Sequence, residues 1–249
     1  MRRIVIANQK GGVGKSTIAI NLAWALSRLG KTVLVVDCDP QSNTTAGLIG
    51  FKESHPTLYQ VFAEGVTAKE AIVAVSDGLS LLPCSIALAG ADIEFGQDMG
   101  RESKLKRALS RVRHDFVLFD TPPSLGLLSL NALMAGQEVL VPVSASFWAL
   151  RGIEFLEDTI KQVRGRMNHR QLHVLGAVAT MVDQVTNVSK DALEIITEHF
   201  GDKMFQAIIP KTVRLEEANA RSQSIFNYAP KSPAAEAFTQ LAKEVIGNE

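Results

Sequence analysis

The 249-residue sequence predicts an α/β fold built on a doubly wound, mostly parallel sheet. Three observations lead there. Seven short apolar runs alternate with helix-length segments, a glycine-rich loop joins the first run to an apolar-periodic segment, and two of the runs end on aspartate. Continuous apolar runs suit strands buried on both faces, and helix-length spacers suit parallel crossovers. In such sheets ligands bind beyond the carboxyl ends of the strands, so the residues that follow each run are the ones to inspect for chemistry.

The first run, "RIVIA" at 3–7, leads into "NQKGGVGKST" at 8–17 and then "STIAINLAWALSRLG", whose apolar residues recur at helical spacing before Gly30 stops the helix. This is the strand, glycine loop and helix context of a phosphate-binding loop. Gly11, Gly12 and Gly14 free the backbone N–H groups around Val13 to turn toward phosphate oxygens, and the helix N-terminus at Ser16 and Thr17 adds partial positive charge. Lys15 is placed to neutralise the β- and γ-phosphates, and the Ser16 hydroxyl to complete a Mg²⁺ shell otherwise made of phosphate oxygens and water. One feature departs from the usual spacing: Gln9 stands where the first glycine belongs, and Lys10 puts a second cation in the loop.

The second run, "TVLVVD" at 32–37, continues as "CDPQ" and so delivers Asp37 and Asp39 at a strand end. "LSLLP" at 79–83 is the third. The fourth, "DFVLFD" at 115–120, presents Asp120 after four apolar residues, the pattern of a Walker B aspartate that holds Mg²⁺ through water. "EVLVPV" at 138–143, "HVLGAVATM" at 173–181 and "MFQAIIP" at 204–210 complete the set. "GFKESHPT" at 50–57 and "VDQVTNVSK" at 182–190 read as exposed loops. With no repeats, low-complexity tracts or Pro/Ser-rich linkers, one domain is expected over 1–249.

Lys plus Arg and Asp plus Glu both number 26, so any nucleic-acid binding must come from a local patch and not from a global field. Cys38 and Cys84 form neither a disulfide framework nor a CxxC pair, which points to a reducing compartment and a cytoplasmic protein. "MRRIVIANQ" turns polar too soon for a signal peptide, and the longest apolar stretch is broken by Asn131, Gln137, Glu138 and Pro142, so no membrane span is expected.

Taken together, "KGGVGKST", "VVDCDPQ" and "FDTPPS" resemble the deviant Walker ATPases of the ParA/MinD group. "ANQKGG", "DPQSN", "DTPPSLGLLSLNAL", "IPKTVRLEEA" and "YAPKSPAAEAF" are similar to its ParA/Soj branch, over nearly the whole chain. The resemblance implies an ATP- and Mg²⁺-dependent sandwich dimer in which Lys10 reaches the phosphates of the partner's ATP. Two nucleotides of about −4 charge each would repel face to face without such cations. It further implies that Lys10 stabilises transition-state charge as an arginine finger does, that Asp39 orients the attacking water, and that Pro210 and Thr212 hold the adenine. Two positions depart from the family pattern: relatives often carry Asn at 212, and many carry Glu where Ser146 stands.

Siblings in the group lack matching parts here. No cysteine follows Cys84 to ligate an iron–sulfur cluster, and Tyr59 and Tyr228 are the only tyrosines, against a tyrosine-rich kinase tail. The terminal "SPAAEAFTQLAKEVIGNE" carries three acids against one lysine, with Ala235, Phe238, Leu241, Ala242 and Val245 on one face, which reads as core packing and not as a basic membrane anchor. No room precedes residue 3 for a helix-turn-helix extension. A Soj-like ATPase remains, implying non-specific, nucleoid-associated DNA binding by the dimer, release by a ParB-like partner or other cargo adaptor, and segregation or positioning of a cargo. A nucleotide-gated interaction protein that does not act on DNA is the alternative. Residues 203–231 hold Lys203, Lys211, Arg214, Arg221 and Lys231 against Glu216 and Glu217, which nominates Lys211, Arg214 and Arg221 as DNA contacts. Two other basic runs, "RESKLKRALSRVRHD" and "KQVRGRMNHRQLH", read as a solvated helix face and a helix end.

Overall fold

The computed structural model describes residues 1–50, 55–146, 150, 152–183 and 185–247. Eight strands run β1 (Arg2–Ile6), β2 (Val33–Asp37), β3 (Val73–Ser76), β4 (Leu79–Leu82), β5 (Phe116–Asp120), β6 (Glu138–Ser144), β7 (His173–Val182) and β8 (Met204–Pro210). They form one sheet in the order β3-β4-β2-β5-β1-β6-β7-β8, parallel except for β3. The helices are α1 (Lys15–Arg28), α2 (Asn43–Ile49), α3 (Leu58–Ala63), α4 (Ala68–Ala71), α5 (Ala91–Glu94) and α6 (Lys104–Ala108), then α7 (Leu127–Ala135), α8 (Ile153–Arg166), α9 (Asn187–Phe200), α10 (Val213–Ala220), α11 (Ile225–Tyr228) and α12 (Pro233–Gly247).

Strand alternation divides the core into two layers. Val5 of β1 joins α7 and α8 on one face, through residues such as Leu133 and Leu156, while Ile4 and Ile6 join Leu22 of α1 and Phe238 of α12 on the other. All five apolar residues expected to form the stripe on the terminal helix are buried. The helix after the glycine loop ends as the sequence predicts: Leu29 caps it, and Gly30 follows at φ +80°.

All seven expected runs are strands, and the structure adds β3, a four-residue antiparallel edge with a register shift between Ala74 and Ser76. Its turn, Asp77-Gly78, is the short-range hairpin signal that would have revealed it. The loop expected at 182–190 is shorter than the sequence suggests. Helix α9 already begins at Asn187, because the Ser189 hydroxyl accepts from the Asp183 N–H at 3.0 Å and pins the helix start back onto the strand end. Within the other expected loop His55 is exposed, and positions 51–54 lie outside the described residues.

Candidate functional site

Strand β1 lies at the middle of the sheet between β5 and β6, so the loop that leaves it sits where the winding reverses. Gly12 and Gly14 hold φ +72° and +87°, a left-handed conformation that a side chain would strain. Gly14 precedes α1 with no side-chain cap, and no acidic residue occupies the first turn, which leaves the helix N–H groups free for an anion. The Thr180 hydroxyl donates to the Val13 carbonyl at 2.9 Å, so Val13, itself buried, contributes backbone and not side chain.

Lys15 is only 7% exposed and reaches back over the loop to the Asn8 carbonyl at 3.1 Å. Burial lowers its pKa, and Asp120 and Asp39 oppose that. Asn8 ties the loop to β6: its amide donates to the Pro142 carbonyl at 2.7 Å, while its Oδ1 accepts the Lys10 N–H at 2.9 Å. Lys10 points elsewhere. Its Nζ donates to Ser146 Oγ at 2.8 Å and lies 3.4 Å from Ser144 Oγ. The departure at Ser146 thus has a physical content: Lys10 rests against neutral hydroxyls.

Strands β2 and β5 are in register with Asp37 opposite Asp120. Both carboxyls are fully buried and raised above the ordinary carboxylate range, each chiefly by burial; Asp37 is raised further by the Asp120 charge and Asp120 by Asp39. They do different work. Asp37 is consumed locally: Thr45 donates to its Oδ2 through N–H at 2.8 Å and hydroxyl at 2.7 Å, and the Asp39 N–H donates to Oδ1. Asp120 accepts the Thr44 hydroxyl at Oδ2, 2.7 Å away, but its Oδ1 is buried with no partner among the described residues. The Ser16 hydroxyl is near enough to help hold the Asp120 pKa down. A buried carboxylate oxygen left open beside a serine hydroxyl fits a hydrated Mg²⁺ between them.

Two adjoining cavities of about 520 and 110 Å³ share Gly14, Thr17, Met181 and Asn219. The larger is lined by Gly11, Gly12, Lys15, Ser16 and Asp39, the smaller by Pro210, Lys211, Thr212 and Leu215. Together they form a cradle lined by the glycine loop that opens into a narrower slot. Lys10 lines neither. Thr212 caps α10, its Oγ1 accepting the Arg214 N–H at 3.3 Å, which leaves its O–H available to donate. Lys211, Arg214 and Arg221 are exposed beside the slot, with the Arg221 guanidinium 5.2 Å above the Tyr228 ring.

The sequence profile of the family described as an AAA domain matches residues 1–174. Soj of Bacillus subtilis is 41% identical over 98% of both chains, and a chromosome-partitioning ATPase Soj of Thermus thermophilus is 44% identical over 99% of this chain and 96% of that one. The chain belongs to the ParA/Soj branch of the deviant Walker ATPases. A solved Mycobacterium smegmatis protein, named a cobyrinic acid a,c-diamide synthase and holding an ATP analog and magnesium, superposes with a TM-score of 0.86 at 34% identity, covering 99% of this chain and 94% of that one.

Against this ParA/Soj frame, Asn219 is the site residue that the sequence reading misses. Its amide donates to Thr17 Oγ1 at 3.5 Å, and its Oδ1 is buried with no partner at the junction of cradle and slot. Asn8, Thr44 and Thr180 are missed as well, since each acts on a group more than 70 positions away.

Proposed function

We propose that this ParA-like ATPase forms an ATP-dependent sandwich dimer, binds DNA without sequence preference in that state, and segregates or positions a cargo together with a ParB-like partner. ATP and Mg²⁺ are its cofactors. Lys15 and the α1 N-terminus bind the β- and γ-phosphates, Ser16 and Asp120 hold Mg²⁺, the latter through water, and Pro210 and Thr212 flank the adenine. Held there, the metal would offset phosphate charge. Asp39, at the cradle wall, orients the attacking water.

The observation that carries the reading is the division of labour between two lysines of one loop. Lys15 is committed to its own cradle, while Lys10 stands outside it on two serine hydroxyls, held among the described residues only by uncharged acceptors. Such a cation is cheap to release toward a second nucleotide brought face to face. A dimer also doubles the patch around Lys211, Arg214 and Arg221, so ATP switches DNA affinity through geometry. Amide synthesis, which the name of the M. smegmatis protein suggests, would need a thiolate if glutamine were the nitrogen donor; Cys38 and Cys84 are both buried, with pKa values raised mainly by burial.

The deciding experiment is DNA co-sedimentation with and without ATP. ATP-dependent binding should fall with salt at a log-log slope of roughly −0.9 per phosphate neutralised, show no base preference, and weaken in the Arg214→Glu, Arg221→Glu double variant while dimerisation persists. ATP-dependent dimers without DNA affinity would reject the segregation reading in favour of a nucleotide-gated interaction protein.

A further inference from the structure

The basic run "RESKLKRALSRVRHD" is not the solvated helix face that its sequence suggests. A 3-10 turn at Arg101–Ser103 leads into an α-helix of only Lys104–Ala108, and the run then turns to form one wall of a groove of about 910 Å³, larger than either nucleotide cavity. The opposite wall comes from α3, α4 and the turn between them. The groove shares no residue with the nucleotide cavities or with the patch at 203–231.

Its chemistry is one-sided. Lys69, Lys104, Arg107, Arg111 and Arg113 line it, and among the described residues no aspartate or glutamate does. From Lys104 to His114 the sequence holds five Lys or Arg and no acid, in a protein whose charges balance as a whole. Lys104 is paired with Asp98 at 2.6 Å. The others keep their charge: Arg107 donates to the Gly100 carbonyl at 3.0 Å and Arg113 to the Ser110 carbonyl at 2.8 Å, contacts that orient a guanidinium without neutralising it. Lys69 and Arg111 make no side-chain hydrogen bond or ion pair among the described residues. Of the acids close in sequence, Glu70 is engaged in the capping box with Thr67 and Asp115 accepts from the N–H and hydroxyl of Thr32. The unbalanced charge is felt inside the protein, where Arg113 adds to burial in lowering the Arg3 pKa.

The floor is apolar. Val61, Val66, Ile72 and Val112 are each only partly buried there, packed on the core from one side and open to the groove on the other. Beside them His114 Nδ1 is buried without a hydrogen-bond partner. Cations on both walls, all but Lys69 on the one formed by the basic run, around a half-exposed aliphatic floor match one ligand pattern: an amphipathic segment with apolar residues on one face and carboxylates on the other. A phosphate backbone would satisfy the wall but leave the floor wet. We propose that this groove docks an acidic amphipathic helix of a partner protein, its apolar face on Val66 and Ile72 and its carboxylates on Lys69, Arg107 and Arg111.

The test uses the full chain and a fluorescein-labelled synthetic peptide of leucine and glutamate, with leucines at i, i+3, i+4 and i+7, read by fluorescence anisotropy. Its comparators are a scrambled peptide of the same composition, the same pattern with lysine for glutamate, and a DNA duplex. The acidic amphipathic peptide should bind and the other two peptides should not. Lys69→Glu with Arg111→Glu, at exposed side chains without internal partners, should weaken it by about tenfold or more and flatten its salt dependence. Val66→Asp should weaken it as well, with the circular dichroism unchanged. Arg214→Glu with Arg221→Glu should leave it as in the wild type, and ATP affinity should be the same in the groove variants. The proposal fails if the peptide does not bind, if the scrambled peptide binds equally, or if the groove variants leave affinity unchanged. It also fails if duplex DNA, and not the peptide, loses affinity in Lys69→Glu, Arg111→Glu.

Discussion

Replacing Asp120 with Asn should make the nucleotide-free protein more stable and the nucleotide-bound protein less so. Asp120 is fully buried, faces Asp37 across a parallel pair, and leaves Oδ1 without a partner. An unsatisfied buried acceptor costs ~1–3 kcal/mol, more when charged, and the amide removes the charge while keeping the acceptor that Thr44 uses. For a chain of this length each kcal/mol moves Tm by ~2–4 °C, so Asp120→Asn should raise Tm by roughly 2–12 °C at pH 8 without nucleotide. The pH dependence follows in sign. Burial raises the Asp120 pKa, so the folded protein keeps this proton to higher pH than the unfolded chain does. Unfolding releases it in that window, and stability falls as pH rises from the ordinary carboxylate range toward neutral. The gain from Asp120→Asn should therefore vanish below about pH 3, where both states are protonated. With Mg²⁺ and ATP at about 100 times Kd the wild type should gain about 2.7 kcal/mol, and the variant, lacking the metal's anchor, less. Differential scanning fluorimetry across pH, with and without Mg-ATP, reads all of this. A variant less stable than wild type at pH 8 without nucleotide, or a difference that does not change with pH, would refute the reasoning.

Lys15→Ala should abolish measurable ATP binding by titration calorimetry, since the cradle then lacks its buried cation; unchanged affinity would remove the phosphate-loop assignment. Lys10→Ala should bind ATP but fail to dimerise or turn over, whereas Asp39→Ala should bind, dimerise and accumulate unhydrolysed, so the two should move in opposite directions on a sizing column with ATP. Normal dimerisation and turnover in Lys10→Ala would remove the trans role. Asn219→Ala should weaken ATP by about fivefold or more and narrow its margin over GTP, because an amide at the mouth of the base slot offers both a donor and an acceptor; equal discrimination by competition binding would assign Asn219 to structure alone.

What the sequence made legible was local. The phosphate loop is contiguous, and its glycines, lysine and hydroxyl are in register within ten residues, so strand, turn and helix follow from neighbours. By the same logic Asp120 reads as the metal-holding aspartate and Asp37 as no more than a strand-end carboxylate, without a physical reason for the difference. Only the contacts from Thr44 and Thr45 on α2 show that one carboxylate is spent and the other left open. Asn219 and Thr180 were invisible because their value lies in meeting Thr17 and Val13 across 202 and 167 positions. The run at 101–115 looked helical by its charge pattern, yet Leu109 and Val112 turn inward, and a short helix followed by a turn makes a wall that no periodicity would draw. Strand β3 escaped because an edge of four residues, largely in contact with water, carries no long apolar run.

The central position of β1 also sets an order of events during synthesis. Residues 2–6 pair with 116–120 and 138–140, so the first strand made must wait for partners more than 100 residues downstream. Its loop is then fastened by Thr180, and the base slot closes only with Pro210 and Asn219. Contacts of such long sequence separation form late, because loop closure must come before the contact can stabilise anything. A nascent chain therefore cannot hold a nucleotide until most of it has left the ribosome, even though the binding loop is among the first residues to emerge. Nucleotide capture is in this sense a report that the whole sheet has closed, and a truncated or stalled chain carries the phosphate-loop motif without the ability to use it.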